Sequence, residues 1–177
     1  MPVTKISVFA NHEDGSLNVP RIPEDREFLK QLTANRTVIC GSTVATQIPR
    51  SLKKIVIRRM EGFDYNRLVM TIMQNLPDDR SYIVYGGWRV YAEANKHVDM
   101  IVRIKVSADT QRAETNKDDV YGYTTIPENF VLLSERDLSE YINTEKKTGH
   151  MVQVYRRIGA MEFNSLEEFI GMNTQTM

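Results

Sequence analysis

Asp25 stands where an acid is costly. In "IPEDREFLKQLT" (22–33), Phe28, Leu29 and Leu32 form one stripe of a helix that turns by about 100° per residue. Asp25 comes three residues before Phe28 and four before Leu29, so it falls inside that stripe. A carboxylate on a buried face is unfavourable unless it is paired or used. Glu24 and Asp25 also occupy a first turn, where acids complement the positive helix end, and that purely structural reading stands beside the functional one. Two further stretches repeat one arrangement. "VICGSTV" (38–44) and "IVYGGWRVY" (83–91) each run from a β-prone segment through glycine into a helix start. Such a turn offers backbone N–H groups and a positive helix end to phosphate, although strand-to-helix turns also use glycine for geometry alone. Arg58 and Arg59 close "KKIVIRR" as a basic pair at a strand end.

These groups need a scaffold, and the chain is patterned as an alternating α/β protein. The strand candidates are residues 5–10, 37–40, 53–59, 81–85 and 99–106, with helical stretches at about 24–34, 42–47, 64–75 and 87–96. The last third changes character. "NFVLLSER" (129–136) and "HMVQVYRR" (150–157) read as strands joined without a helical crossover, which predicts an antiparallel hairpin at one sheet edge. The polar "DLSEYINTEKK" between them is expected as a solvated connection. One domain over residues 1–158 is expected, then an extension over 159–177 in which Ser165 and Glu168 have capping-box spacing.

At 177 residues, with 41% hydrophobic and 26% charged residues, the composition is that of one globular domain. Lys plus Arg is 23 and Asp plus Glu is 23, so no bulk charge favours nucleic acid or a membrane surface. No apolar run is long enough to span a bilayer. The expectation is a soluble, cytoplasmic monomer acting on a small molecule. Cys40 is the only cysteine, and His12, His97 and His150 lack metal-ligand spacing, so no metal site is expected and the histidines read as surface or structural. The dinucleotide GxGxxG and P-loop motifs are absent.

In order and surroundings the motifs resemble dihydrofolate reductase. The likeness is local in "IPEDREFLKQLTANRTVICGSTV" and "YIVYGGWRVY" and looser through "FVLLSERDLSEY" and "MVQVYRR". It implies that family's fold: a mostly parallel central sheet with a C-terminal antiparallel hairpin and helices on both faces. It implies that Asp25 hydrogen-bonds a pterin ring and supports its protonation, and that a cis peptide joins Gly86 and Gly87. It implies NADPH, with the cofactor along Ala10, Gly41, Ser42, Thr43, Val44, Gly86, Gly87, Trp88, Arg89, Val90 and Tyr91, and its 2′-phosphate near Arg58 and Arg59. Phe9, Leu29, Ile48 and Tyr85 match positions that line the pterin pocket.

Several positions depart from the family pattern. "HEDGSLNVPRIP" is short and carries no tryptophan, where the family has a closing loop. Ser42 stands for a basic residue, Val44 for threonine and Trp88 for a small residue. The pocket threonine aligns with Arg103, which would line the substrate site and, paired with Asp25, would hold it ionised. The family's folate-tail arginine has no clean counterpart; Arg50, Lys53 and Lys54 are the substitutes at hand. Three functions follow: a divergent NADPH-dependent dihydrofolate reductase, a riboflavin-pathway-type reductase of the same superfamily, or a catalytically silent binding protein.

Overall fold

Short β-branched runs separated by helix-length segments pair in parallel, because a helical crossover returns the chain to the same end of the sheet. The structure, a computed structural model, describes residues 5–17, 19, 22–77, 79–107 and 122–159. Its strands are β1 (Lys5–Asn11), β2 (Thr37–Gly41), β3 (Lys54–Ile57), β4 (Tyr82–Val84), β5 (Met100–Lys105), β6 (Phe130–Asp137) and β7 (Met151–Arg157). The helices are α1 (Pro23–Thr33), α2 (Ser42–Ala45), α3 (Tyr65–Gln74) and α4 (Trp88–Ala94). The strands form one sheet in the order β3-β2-β4-β1-β5-β7-β6. The first five are parallel, while β7 runs antiparallel to both β5 and β6. The mostly parallel sheet with a C-terminal antiparallel pair is as expected. The capping-box helix expected around Ser165 and Glu168 lies outside the described residues.

Side-chain alternation along each strand divides the core into two layers. On one face Ile6, Val8, Met100, Val102, Ile104, Val152 and Val154 meet Phe28 and Leu32 of α1. On the other, Phe9, Ile39 and Ile101 meet Val69 and Met73 of α3 and Tyr91 and Ala94 of α4. Phe28 and Leu32 are fully buried, and each contributes about 1.5–3 kcal/mol relative to exposure. Phe28→Ala would remove the largest side chain α1 gives to this layer, at a cost of about 3–5 kcal/mol.

α1 begins with Pro23 in its first turn, where the missing N–H costs nothing. At its far end Arg36 folds back to donate to the Leu32 carbonyl at 3.0 Å, and burial pushes that guanidinium down to about 10. The β6–β7 connection is more structured than a solvated loop. A single 3-10 turn, Leu138–Glu140, buries Leu138 and Ser139. Asp137 organises it by accepting backbone N–H groups from Ser139, Thr148 and Gly149 and the Thr148 hydroxyl, at 3.0–3.1 Å. Burial alone would raise this carboxyl, but those donors outweigh it and hold it well below the ordinary range. Among the described residues no helix is long and apolar enough to cross a membrane, and no cluster of His, Cys, Asp and Glu could hold a metal ion.

Candidate active site

β2 and β4 are parallel neighbours, so their two glycine turns lie side by side at the carboxyl ends of the strands. The Gly41 N–H donates to the Gly86 carbonyl at 3.0 Å, and the Tyr85 N–H donates to Ile39 at 2.8 Å. Gly86 and Gly87 are joined by a cis peptide bond. Gly86 has φ +79°, and a Cβ there would sit 2.9 Å from Cγ2 of Val44. A side chain is therefore excluded from Gly86 twice over, by backbone conformation and by contact. Gly87 precedes α4 directly, accepting from the Val90 and Tyr91 N–H groups. Tyr91 points inward: its hydroxyl donates to the Val8 carbonyl at 2.6 Å, its ring meets Phe9 edge-on, and burial pushes its ionisation well above normal. Val90 is equally buried, so these two residues support the turn from behind.

Trp88 occupies the mouth of the same turn. Half-buried, it carries the Arg89 guanidinium 5.1 Å from its ring centroid and packs over Gly122. A Cβ on Gly122, whose φ is +69°, would fall 2.3 Å from Cγ of Trp88. Gly122 in turn accepts from the Leu17 N–H at 3.0 Å, Thr124 donates to Gly15 at 2.9 Å, and Ser16 bridges Tyr123. The loop after β1 and the segment before β6 are thereby zipped together and seated on the indole. Nothing in the sequence marked Gly122; only the approach of Trp88 gives it a role.

The acid lies on the α1 side. Asp25 is only 8% exposed, and its Oδ1 has no hydrogen-bond partner. Leu29, Ala10 and Tyr85 pack against the same layer, and Tyr85 also touches the cluster of Ile48, Cys40 and Val44. Tyr85 thus links Leu29 with Ile48, and Cys40 is an enclosed thiol that burial pushes up. Among the described residues, the basic group within ion-pair range of Asp25 is His150, whose Nδ1 lies 3.8 Å from Oδ1 and is also unpartnered. His150 was read as surface or structural, yet it is buried beside the acid. No local spacing could reveal this, since α1 and the start of β7 meet only across the sheet.

Phe9 and Arg103 stand on the opposite face of the sheet from α1. Arg103 does not pair with Asp25. It stands opposite Phe9 and Gln153 in the sheet register, on the face of Ile101 and away from α1. There its Nε donates to Asn11 at 2.6 Å, and its terminal nitrogens donate to Gln153 at 3.3 Å and the His12 carbonyl at 3.1 Å. One residue to either side, Val102 and Ile104 face α1 with hydrocarbon. Phe9 shares the Arg103 face and packs on Tyr91, while its neighbour Ala10 faces Leu29's layer. Strand alternation is the reason in both cases.

Arg58 and Arg59 are exposed just past β3, next to the β2 glycine turn. Burial raises the Tyr65 hydroxyl, partly offset by the charge of Arg59, so Arg59 is close to Tyr65, which itself donates to Ile57 at 2.8 Å. Ser42 and Thr43, opening α2, are exposed, as are Arg50 and Lys53.

Residues 13–155 match the dihydrofolate reductase family. The fold is similar to that of dihydrofolate reductase from Enterococcus faecalis complexed with NADP(H) and RAB-propyl. That superposition has a TM-score of 0.59 at 16% identity and covers 87% of this chain and 96% of that one. No curated protein matches the chain in sequence.

Proposed function

The chain belongs to the dihydrofolate reductase family, and from that premise we propose that it reduces dihydrofolate to tetrahydrofolate with NADPH. The observation that carries the proposal is Asp25, a buried carboxylate with one oxygen left without a donor, on the helix that flanks the paired glycine turns. A buried acceptor without a donor is costly in the free protein, and a ligand that brings an N–H to it recovers that cost. The pyrimidine edge of a pterin offers such N–H groups. Leu29, Ile48 and Tyr85 supply apolar walls against which a flat ring excludes water.

The groups present suit a reduced dinucleotide. Gly41 and Gly86–Gly87 bring bare backbone to one place, and Ala10 is the small residue at the end of β1. Gly41–Val44 and Gly86–Arg89 would hold the phosphates and nicotinamide, with Arg58 and Arg59 free to take the 2′-phosphate. When bound, NADPH supplies the hydride. Asp25 orients the pterin and raises the proton affinity of its ring; the enclosed walls keep the charge of Asp25 from being screened.

The test is loss of NADPH absorbance on adding dihydrofolate to the folded protein. Steady oxidation that requires both reactants supports the proposal; no turnover at saturating substrate defeats it. Trp88 favours the silent reading, because its indole fills the mouth of the α4 turn. NADPH titration separates the two: a silent, plugged groove binds none.

A further inference from the structure

We infer that His150 is a positioning residue for Asp25, gripping its carboxylate when the imidazole is protonated and releasing it to substrate when neutral. The inference rests on the reading of Asp25 as the substrate-binding acid. Its physical basis is a pair of orphaned buried atoms. Asp25 Oδ1 and His150 Nδ1 lie 3.8 Å apart, neither has a hydrogen-bond partner, and the two residues are 8% and 6% exposed. That separation is about 1 Å beyond a hydrogen bond, within reach of a small imidazole rotation.

Most of the described residues in this layer are apolar. β5 turns only Met100, Val102 and Ile104 to this layer, β7 adds Val152 and Val154, and Phe28, Leu32 and Leu138 complete it. Besides Asp25, α1 carries Glu24, Arg26, Glu27 and Lys30; the β6–β7 connection carries Glu140, Glu145, Lys146 and Lys147; and the strands carry Arg103 and Lys105 on β5, Glu135, Arg136 and Asp137 on β6, and Arg156 and Arg157 on β7. By register Arg136 lies opposite Val152 and Arg156 opposite Met100, so both share the face of α1. Asp137 is committed to its own donors. Among the described ion pairs, Asp25 is joined to His150 alone.

The backbone of His150 is fixed. Its N–H donates to the Thr148 hydroxyl at 3.1 Å, and its carbonyl accepts from the Leu138 N–H at 2.8 Å. The side chain is therefore the movable part of a rigid mount. Imidazole changes charge in the pH 5–8 window. Protonated, it donates a charge-assisted bond to Oδ1 and competes with the pterin N–H for the same acceptor. Neutral, with its proton on Nε2, it has no N–H facing Oδ1 and leaves that oxygen open.

Two measurements test this. In the free protein, the ring resonances of His150 are followed against pH by NMR in the wild type, Asp25→Asn and the control Glu24→Gln. The expected result is an altered pH course in Asp25→Asn and the wild-type course in Glu24→Gln; ring signals indifferent to Asp25→Asn overturn the inference whether or not the protein turns over. In steady state, the KM for dihydrofolate should rise about three- to tenfold as pH falls through the imidazole range, the competition of a charge-assisted bond. In His150→Gln, neutral at every pH, that rise should disappear with kcat less affected than KM. A wild-type KM slope retained in His150→Gln overturns the inference. Altered ring signals without any turnover would uphold the coupling and defeat the reductase reading.

Discussion

The two faces of the sheet each bury charge, and they treat it in opposite ways. On the α3–α4 face, Arg103 lies in a row with Gln153 and Glu135 across three neighbouring strands. Every end of that row is answered: Arg103 donates to Asn11, Gln153 and His12, Gln153 donates to Glu135, and Tyr155 donates to Gln153. Asn11 then donates to Thr124 at 3.0 Å, tying the row to the zipped loops. On the α1 face, Asp25 and His150 stand among hydrocarbon with atoms unpaired. A satisfied network lowers the energy of the fold, whereas an unsatisfied pair raises it and leaves acceptor capacity that a ligand could use. The lesson is that the arginine is fully engaged in structure, while the acid keeps an oxygen open to a ligand.

The sharpest way to break this comparison is to substitute both charges. Asp25→Asn should lower kcat/KM for dihydrofolate by about 10²–10⁴-fold, with stability unchanged or slightly raised because an unpaired buried charge is gone. Arg103→Met should do the reverse. It strands acceptors on Asn11, Gln153 and His12, and should cost about 2–4 kcal/mol in urea unfolding while leaving the carboxylate of Asp25 in place. If the two variants lose stability equally, the distinction between the faces fails.

A second test addresses the loops that the arginine row supports. Gly122→Ala puts a methyl into the Trp88 ring at a left-handed backbone position. It should lower stability by about 2–3 kcal/mol, read as a fall in Tm. Adding Trp88→Gly should recover the contact part of that loss and leave the backbone part. Full additivity of the two changes would mean that the indole does not seat the loop.

The third is a pH effect on the mount beneath His150. Asp137 is held low in the folded state, so its stabilisation is fully present above about pH 4, where the unfolded carboxyl is ionised. It is lost progressively as pH falls toward the folded value. Asp137→Asn should therefore cost about 1–3 kcal/mol at neutral pH, and the gap from wild type in urea midpoints should narrow below pH 4. A gap that is constant with pH would assign the effect to packing instead.

Much of the scaffold was legible because it depends on local pattern. The β-branched runs, the glycine turns at Gly41 and Gly86–Gly87 and the amphipathic stripe of α1 each lie within a dozen residues, so periodicity and turn chemistry report them directly. The boundaries shifted by a residue or two where ends fray, as at Tyr82–Val84 and Ser42–Ala45. "DLSEYINTEKK" is solvated over residues 143–147 as expected, but its start turns inward: Asp137 takes backbone donors, which composition does not register.

What the sequence by itself determined was the order of elements and the place of Asp25 on the apolar stripe of α1, since both follow from spacing along one segment. What only the tertiary structure decided was who stands next to whom. Whether Arg103 or Ile104 faces α1 turns on strand phase, where a one-residue difference reverses the side chain. The approach of His150 to Asp25, and of Trp88 to Gly122, depends on how separate elements dock, and long-range packing leaves no periodic trace in the chain.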